Sequence, residues 1–142
     1  MMDRERLNLE KEVLAKKLPS NTYRFMDMDS TKPYIVMGAK TNCGNIYTLR
    51  IELDTFPNEI PKVFVKNKLT LQSGAPMPEY SHAMHTLGSE NGMTRICHYG
   101  DNAWTPLISI YKVYVRCRLW LEVYELHHLT GRDMAYYLKS AQ

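Results

Sequence analysis

Residues 45–53, NIYTLRIEL, alternate strictly. Tyr47, Leu49, Ile51 and Leu53 fall on one side, and Thr48, Arg50 and Glu52 on the other. Only a β-strand places successive side chains on opposite faces, so the pattern predicts a strand with one face buried and one wet. Such a strand needs neighbours for its backbone N–H and C=O groups and a second layer over its apolar side. Candidate neighbours are close by. YRFMDMD (23–29) is a short and ambiguous strand, YIVMG (34–38) is continuously apolar, and KVFVK (62–66) follows. Asn42-Cys43-Gly44-Asn45 has turn chemistry, because Asn and Gly accept left-handed backbone angles. The sequence therefore predicts a hairpin within a four-stranded antiparallel meander.

Two helices are available to cover it. Residues 3–17 carry charge around an apolar line of Leu7, Leu14 and Leu18, and Pro19-Ser20-Asn21 ends the run. Near the other end, Ile110, Tyr114, Cys117, Leu121, Tyr124 and His128 recur at helical spacing. Thr105 is the expected N-cap of that helix, Pro106 its first residue and Gly131 its C-cap. DMAYYLKSAQ (133–142) is expected to add a turn. Residues 67–103 are rich in Gly and Pro, lack periodicity, and read as one long irregular loop of the kind that carries function. The expected fold is α+β: N-terminal helix, four-stranded antiparallel meander, long active-site loop and long C-terminal helix, in a single domain over residues 1–142.

The chain's 142 residues, 44% hydrophobic and 23% charged, are enough for one core and do not fit a disordered or fibrous chain. Apolar runs fall far short of the roughly 20 residues that cross a bilayer. The charged start, MMDRERLNLEKE, does not read as a secretory signal. A net charge of +3 is too small to argue for nucleic acid. Cys43, Cys97 and Cys117 are odd in number and irregularly spaced, which fits reduced thiols and a cytoplasmic location better than a disulfide framework.

Of the three thiols, Cys117 lies on the apolar helix face and reads as core, and Cys43 lies in a turn. Cys97 lies in the loop beside His98, with His82 and His85 upstream. A loop thiol near imidazoles can act as a nucleophile, since a nearby base or cation favours the thiolate. His82-x-x-His85 with Cys97-His98 also offers four zinc-type ligands, although the paired C-x-x-C spacing of structural zinc sites is missing. A papain-like Cys–His pair is a further reading, and it requires a cleft and an orienting Asn or Asp. A zinc-stabilised interaction domain thus stands beside the thiol-enzyme readings.

YTLRIELDTFPNEIPKVFV (47–65) and HTLGSENGMTRICHYGDNAWTPLISIYKVYV (85–115) resemble the core of the ubiquitin-conjugating enzyme family. Phe56-Pro57, Pro61, Val63–Val65, His85, Ile96-Cys97 and Trp104-Thr105-Pro106 occur in the family's order, after a matching first helix. The resemblance implies that Cys97 carries the C-terminal glycine of a ubiquitin-like modifier as a thioester and passes it to a target lysine. It implies no cofactor and no metal. His85 stands where the family's His-Pro-Asn loop begins, but Thr86-Leu87 follows it instead of Pro-Asn. Asn91 takes over the missing amide's oxyanion role only if the loop folds back. Asp101 is the nearest carboxylate after Cys97 to orient and desolvate the incoming amine, and it fits a turn-former in Gly100-Asp101-Asn102 equally well. The first helix, with Arg4, Arg6, Lys11, Lys16 and Lys17, is the implied docking face for an activating enzyme. The spacing of these motifs resembles compact bacterial relatives in antiphage (CBASS-type) operons, where a ubiquitin-like modifier or a nucleotidyltransferase C-terminus is the transferred partner. The resemblance implies neither a nucleic-acid nor a membrane partner. A catalytically inert binding module of the same family is the alternative.

Overall fold

The computed structural model describes residues 2–138. Helix α1 spans Arg4–Lys17 and is capped by Asp3, whose carboxylate accepts the Arg6 N–H at 2.8 Å. Leu14 is fully buried, while Leu7 and Leu18 are only partly covered. Glu10 is buried as well, and it makes a structural joint. One carboxylate oxygen accepts the Ile110 N–H at 2.7 Å and the other accepts from Arg6 at 2.7 Å. Arg6 also donates to the carbonyls of Pro106 and Ile108. The first helix thus holds the chain at the start of the last long one, and Arg6 is engaged inside the fold rather than offered to a partner.

The sheet is larger than the expected meander. Strands β1 (Tyr23–Met26), β2 (Tyr34–Lys40), β3 (Ile46–Glu52) and β4 (Val63–Val65) form the expected antiparallel series. Within residues 67–103, taken from the sequence as irregular loop, lie β5 (Tyr80–Ser81), β6 (Thr86–Glu90) and β7 (Met93–Ile96). The result is one seven-stranded antiparallel sheet in the order β1-β2-β3-β4-β7-β6-β5. The four-stranded description is therefore corrected. The β6–β7 hairpin folds back and pairs β7 with β4, Phe64 opposite Arg95 and Val65 opposite Thr94. Its turn is Asn91-Gly92, both in the left-handed region at φ 53° and 79°, as a tight two-residue hairpin requires.

Alternation places Ile35, Met37 and Ala39 of β2 with Leu49, Ile51 and Leu53 of and beyond β3 on the buried face. Helix α2 (Ile110–Thr130) covers them with Ile110, Val113, Tyr114, Cys117, Trp120 and Leu121. Its N-cap is Ser109, which accepts the Lys112 N–H at 3.0 Å, not Thr105. Trp104 and Pro106 instead belong to an anchored approach segment, in which the Trp104 indole donates to the Pro57 carbonyl at 3.1 Å. The inward stripe ends on His127, with His128 only half-buried. Gly131, at φ 76°, ends the helix in the left-handed conformation the sequence predicts. A short α3 (Met134–Leu138) closes the described chain. Of the expected terminal turn, residues 139–142 lie outside the described residues. No helix among the described residues is long and apolar enough to cross a membrane.

Candidate active site

Cys97 is the first residue beyond β7, directly after the fully buried Ile96. Its N–H donates to the His85 carbonyl at 2.9 Å. The same carbonyl accepts the Trp120 indole N–H at 3.0 Å. A strand end, a loop and α2 therefore meet at one oxygen, which fixes where the thiol leaves the sheet. His85 adopts φ 52°, uncommon for a residue with a side chain, and this turns the chain between the His82 segment and β6.

The His85 ring is buried and stacks on His82, with centroids 5.7 Å apart. Its Nδ1 is shielded from water and has no hydrogen-bond partner among the described residues. Burial, and secondarily the neighbouring His82, lowers its pKa below the usual imidazole value, so the ring is held neutral. Cys97, His85 and His82 line one cavity of about 510 Å³ with Tyr80, Thr86 and Leu87. Cys97 and His85 are thus brought together.

The Cys97 thiol is half-buried, and that burial raises its pKa. Arg95 and Arg116 pull the other way, and Asp101 adds to the rise. Arg95, on β7, makes no side-chain hydrogen bond or ion pair to a described residue, and its Nε is shielded from water. Arg116, on α2, donates to the His98 carbonyl at 3.1 Å and lies 4.5 Å over the Tyr99 ring. Two guanidinium groups from different elements therefore favour the thiolate by charge, and burial outweighs them.

Asp101 is exposed in the turn Asp101–Ala103, and it lines a second cavity of about 420 Å³ with Glu59, Arg95, His98 and Trp104. It acts on the thiol through space, from the neighbouring cavity. Asn91 stands elsewhere. It occupies the exposed tip of the β6–β7 hairpin, separated from Cys97 by the length of β7, roughly 13 Å at about 3.3 Å per residue. Its amide does not reach the thiol. The backbone N–H groups of His98 and Tyr99, next to the thiol, donate no hydrogen bond to another described residue.

His98 is tied into the core. It is buried, one ring nitrogen bonds to the Ile96 backbone, and burial pushes its pKa down to about 4. Among the described residues, no group of three or more His, Cys, Asp or Glu side chains is placed to hold a metal ion. Sequence reasoning missed Arg95, Arg116 and Trp120 as site residues. Their only signal is β-sheet and helix register, which places Arg116 one turn before Trp120 on the same stretch of α2. No family model, curated protein or solved structure matches the chain.

Proposed function

We propose that the chain is a ubiquitin-conjugating-like acyl transferase with Cys97 as its nucleophile. The observation that carries this reading is the Cys97–His85 arrangement: a half-buried thiol at a strand end, beside a neutral imidazole, at a cavity of about 510 Å³. In the first step the Cys97 thiolate attacks the carbonyl carbon of an incoming thioester, a C–S bond forms, and the donor's sulfur leaves as its thiolate. In the second step a lysine amine attacks that carbonyl, Cys97 leaves as thiolate, and the amine proton passes to solvent or a nearby base. Each tetrahedral intermediate carries an oxyanion. The N–H groups of His98 and Tyr99, which donate to no other described residue, are the available donors in place of an asparagine amide, and such donors contribute about 3 kcal/mol each where aligned. Asp101 faces the cavity next to the thiol, where it orients the amine by charge.

In this reading the partners are an activating enzyme, a ubiquitin-like modifier or the C-terminus of a nucleotidyltransferase, and a target lysine, in a cytoplasmic antiphage setting. The half-burial of the thiol and the displacement of Asn91 favour a second reading, an inert binding module. Loading assays separate the two. With activating enzyme, ATP and modifier, the first reading expects a thiol-labile adduct on the wild type and none on Cys97→Ala, with Cys97→Lys trapping a stable amide. Modifier that binds without any adduct supports the inert module.

A further inference from the structure

A second cavity, of about 350 Å³, lies between the β2–β3 hairpin and the last turns of α2, near the low end of the size range for small-ligand sites. Its walls are Tyr47, Tyr124 and Leu129, and Glu125 supplies its charge. One oxygen of the Glu125 carboxylate accepts three hydrogen bonds: from Thr41 at 3.0 Å, Asn45 at 2.8 Å and the Tyr47 hydroxyl at 2.8 Å. The Cys43 thiol is a further hydrogen-bond partner of the carboxylate, whose other oxygen, Oε1, is shielded from water. Burial works against the charge, but the bonds from Asn45, Tyr47, Thr41 and the Cys43 thiol outweigh it and hold the carboxyl below its usual range. Glu125 is therefore an anion at neutral pH, and it forms no ion pair among the described residues.

Three other polar groups of the lining are already engaged with the protein. The Tyr47 hydroxyl donates to Glu125, the Tyr124 hydroxyl accepts the Thr70 N–H at 3.0 Å, and His128 Nε2 bonds to the Thr70 carbonyl at 2.8 Å. No lysine or arginine among the described residues lines the cavity. What remains is one hydrogen-bonded negative charge without an ion pair among the described residues, beside two tyrosine rings, set edge to face with centroids 6.2 Å apart, and an aliphatic rim. A neutral ligand leaves that charge without an ion pair, and an anion is repelled. A cation with an aliphatic stem satisfies both the charge and the walls, with the tyrosine π-systems adding attraction. We propose that this cavity is a recognition site for a primary alkylammonium group, the lysine side chain of a partner polypeptide. The site stands apart from Cys97 and does not depend on the acyl-transfer reading.

The test is a backbone-amide NMR titration of the full chain with n-butylammonium chloride, with sodium chloride and 1-butanol as controls. Saturable shifts are expected at residues 41–47 and 124–129, with binding at least tenfold weaker for 1-butanol. Glu125→Gln, which keeps an acceptor for the three donors, should lose at least tenfold in butylammonium affinity. Leu129→Lys, at a rim position 75% exposed and so tolerant of change, should block the site with its own ammonium. Equal binding of butanol and butylammonium, no saturable shift, or undiminished binding by both variants would overturn the proposal. Should Glu125→Gln fail to fold, Leu129→Lys alone decides.

Discussion

At the residue scale the thiol's environment is a contest between burial, which raises the pKa of Cys97, and two guanidinium groups that lower it. Removing one of the latter has a definite sign. Arg95→Gln should raise the thiol pKa further, reduce the thiolate fraction at neutral pH and slow Cys97 alkylation by iodoacetamide several-fold. The gap should close as pH rises above the thiol pKa, since both proteins are then thiolate. A pH-independent gap would mean that Arg95 acts on access rather than charge. His98 gives a stability test. Its pKa is near 4 in the fold against an ordinary 6.5, so the unfolded chain binds the proton more tightly. The stabilisation from keeping it neutral is complete above about pH 6.5 and is lost as pH falls toward 4, on the order of 3 kcal/mol. Urea midpoints at pH 7 and pH 4.5 should show a smaller acid loss for His98→Gln than for wild type. An equal loss in both would contradict the assignment.

At the element scale the site depends on three elements meeting at the His85 carbonyl. Trp120→Phe deletes one of its two donors while keeping a ring to stack on Tyr124, whose centroid lies 5.7 Å away. The expected cost is about 1–2 kcal/mol in urea unfolding. Thioester loading should fall more than that loss of stability explains, because the thiol's anchor loosens. The basic face of α1 is the other element-scale question. Arg6 is engaged with Glu10, Pro106 and Ile108, which leaves the exposed Arg4, Lys11, Lys16 and Lys17 to meet a partner. Lys11→Glu with Lys16→Glu should slow loading by an activating enzyme at low salt, and added salt should narrow the gap. Loading untouched by the reversal at low salt would leave α1 as scaffold.

At the scale of the whole molecule, the sequence is legible where elements are long enough to show a period. The alternation of 45–53 and the helical spacing of 110–128 both mark real elements, because burial imposes those periods. Residues 67–103 were not legible in the same way. Strands of two to five residues broken by Gly88 and a register shift between Thr86 and Ser89 offer no window for a period. One signal was present, Asn91-Gly92 between two short runs, and it marks the hairpin that completes the sheet. Missing that hairpin also misplaced Asn91, since only the paired strands carry it away from Cys97. That Cys97 and His85 share a cavity is implied only by the family resemblance, not by any period in the sequence. The flanking Arg95 and Arg116 follow only from tertiary register.

In the proposed function Cys97 accepts an acyl group and hands it to an amine. The most direct measurement incubates the protein, in a Cys43→Ala background, with a glycine-ended peptide thioester. Cys43 is exposed and would otherwise exchange without selectivity. A lysine derivative is then added, and the acyl group is followed by mass spectrometry of proteolytic fragments. The expected result is the peptide on Cys97, released by a thiol reductant and transferred to lysine as an amide, with no adduct after Cys97→Ala. An adduct that survives Cys97→Ala, or a protein that stays unacylated at Cys97 while binding the peptide, would contradict it.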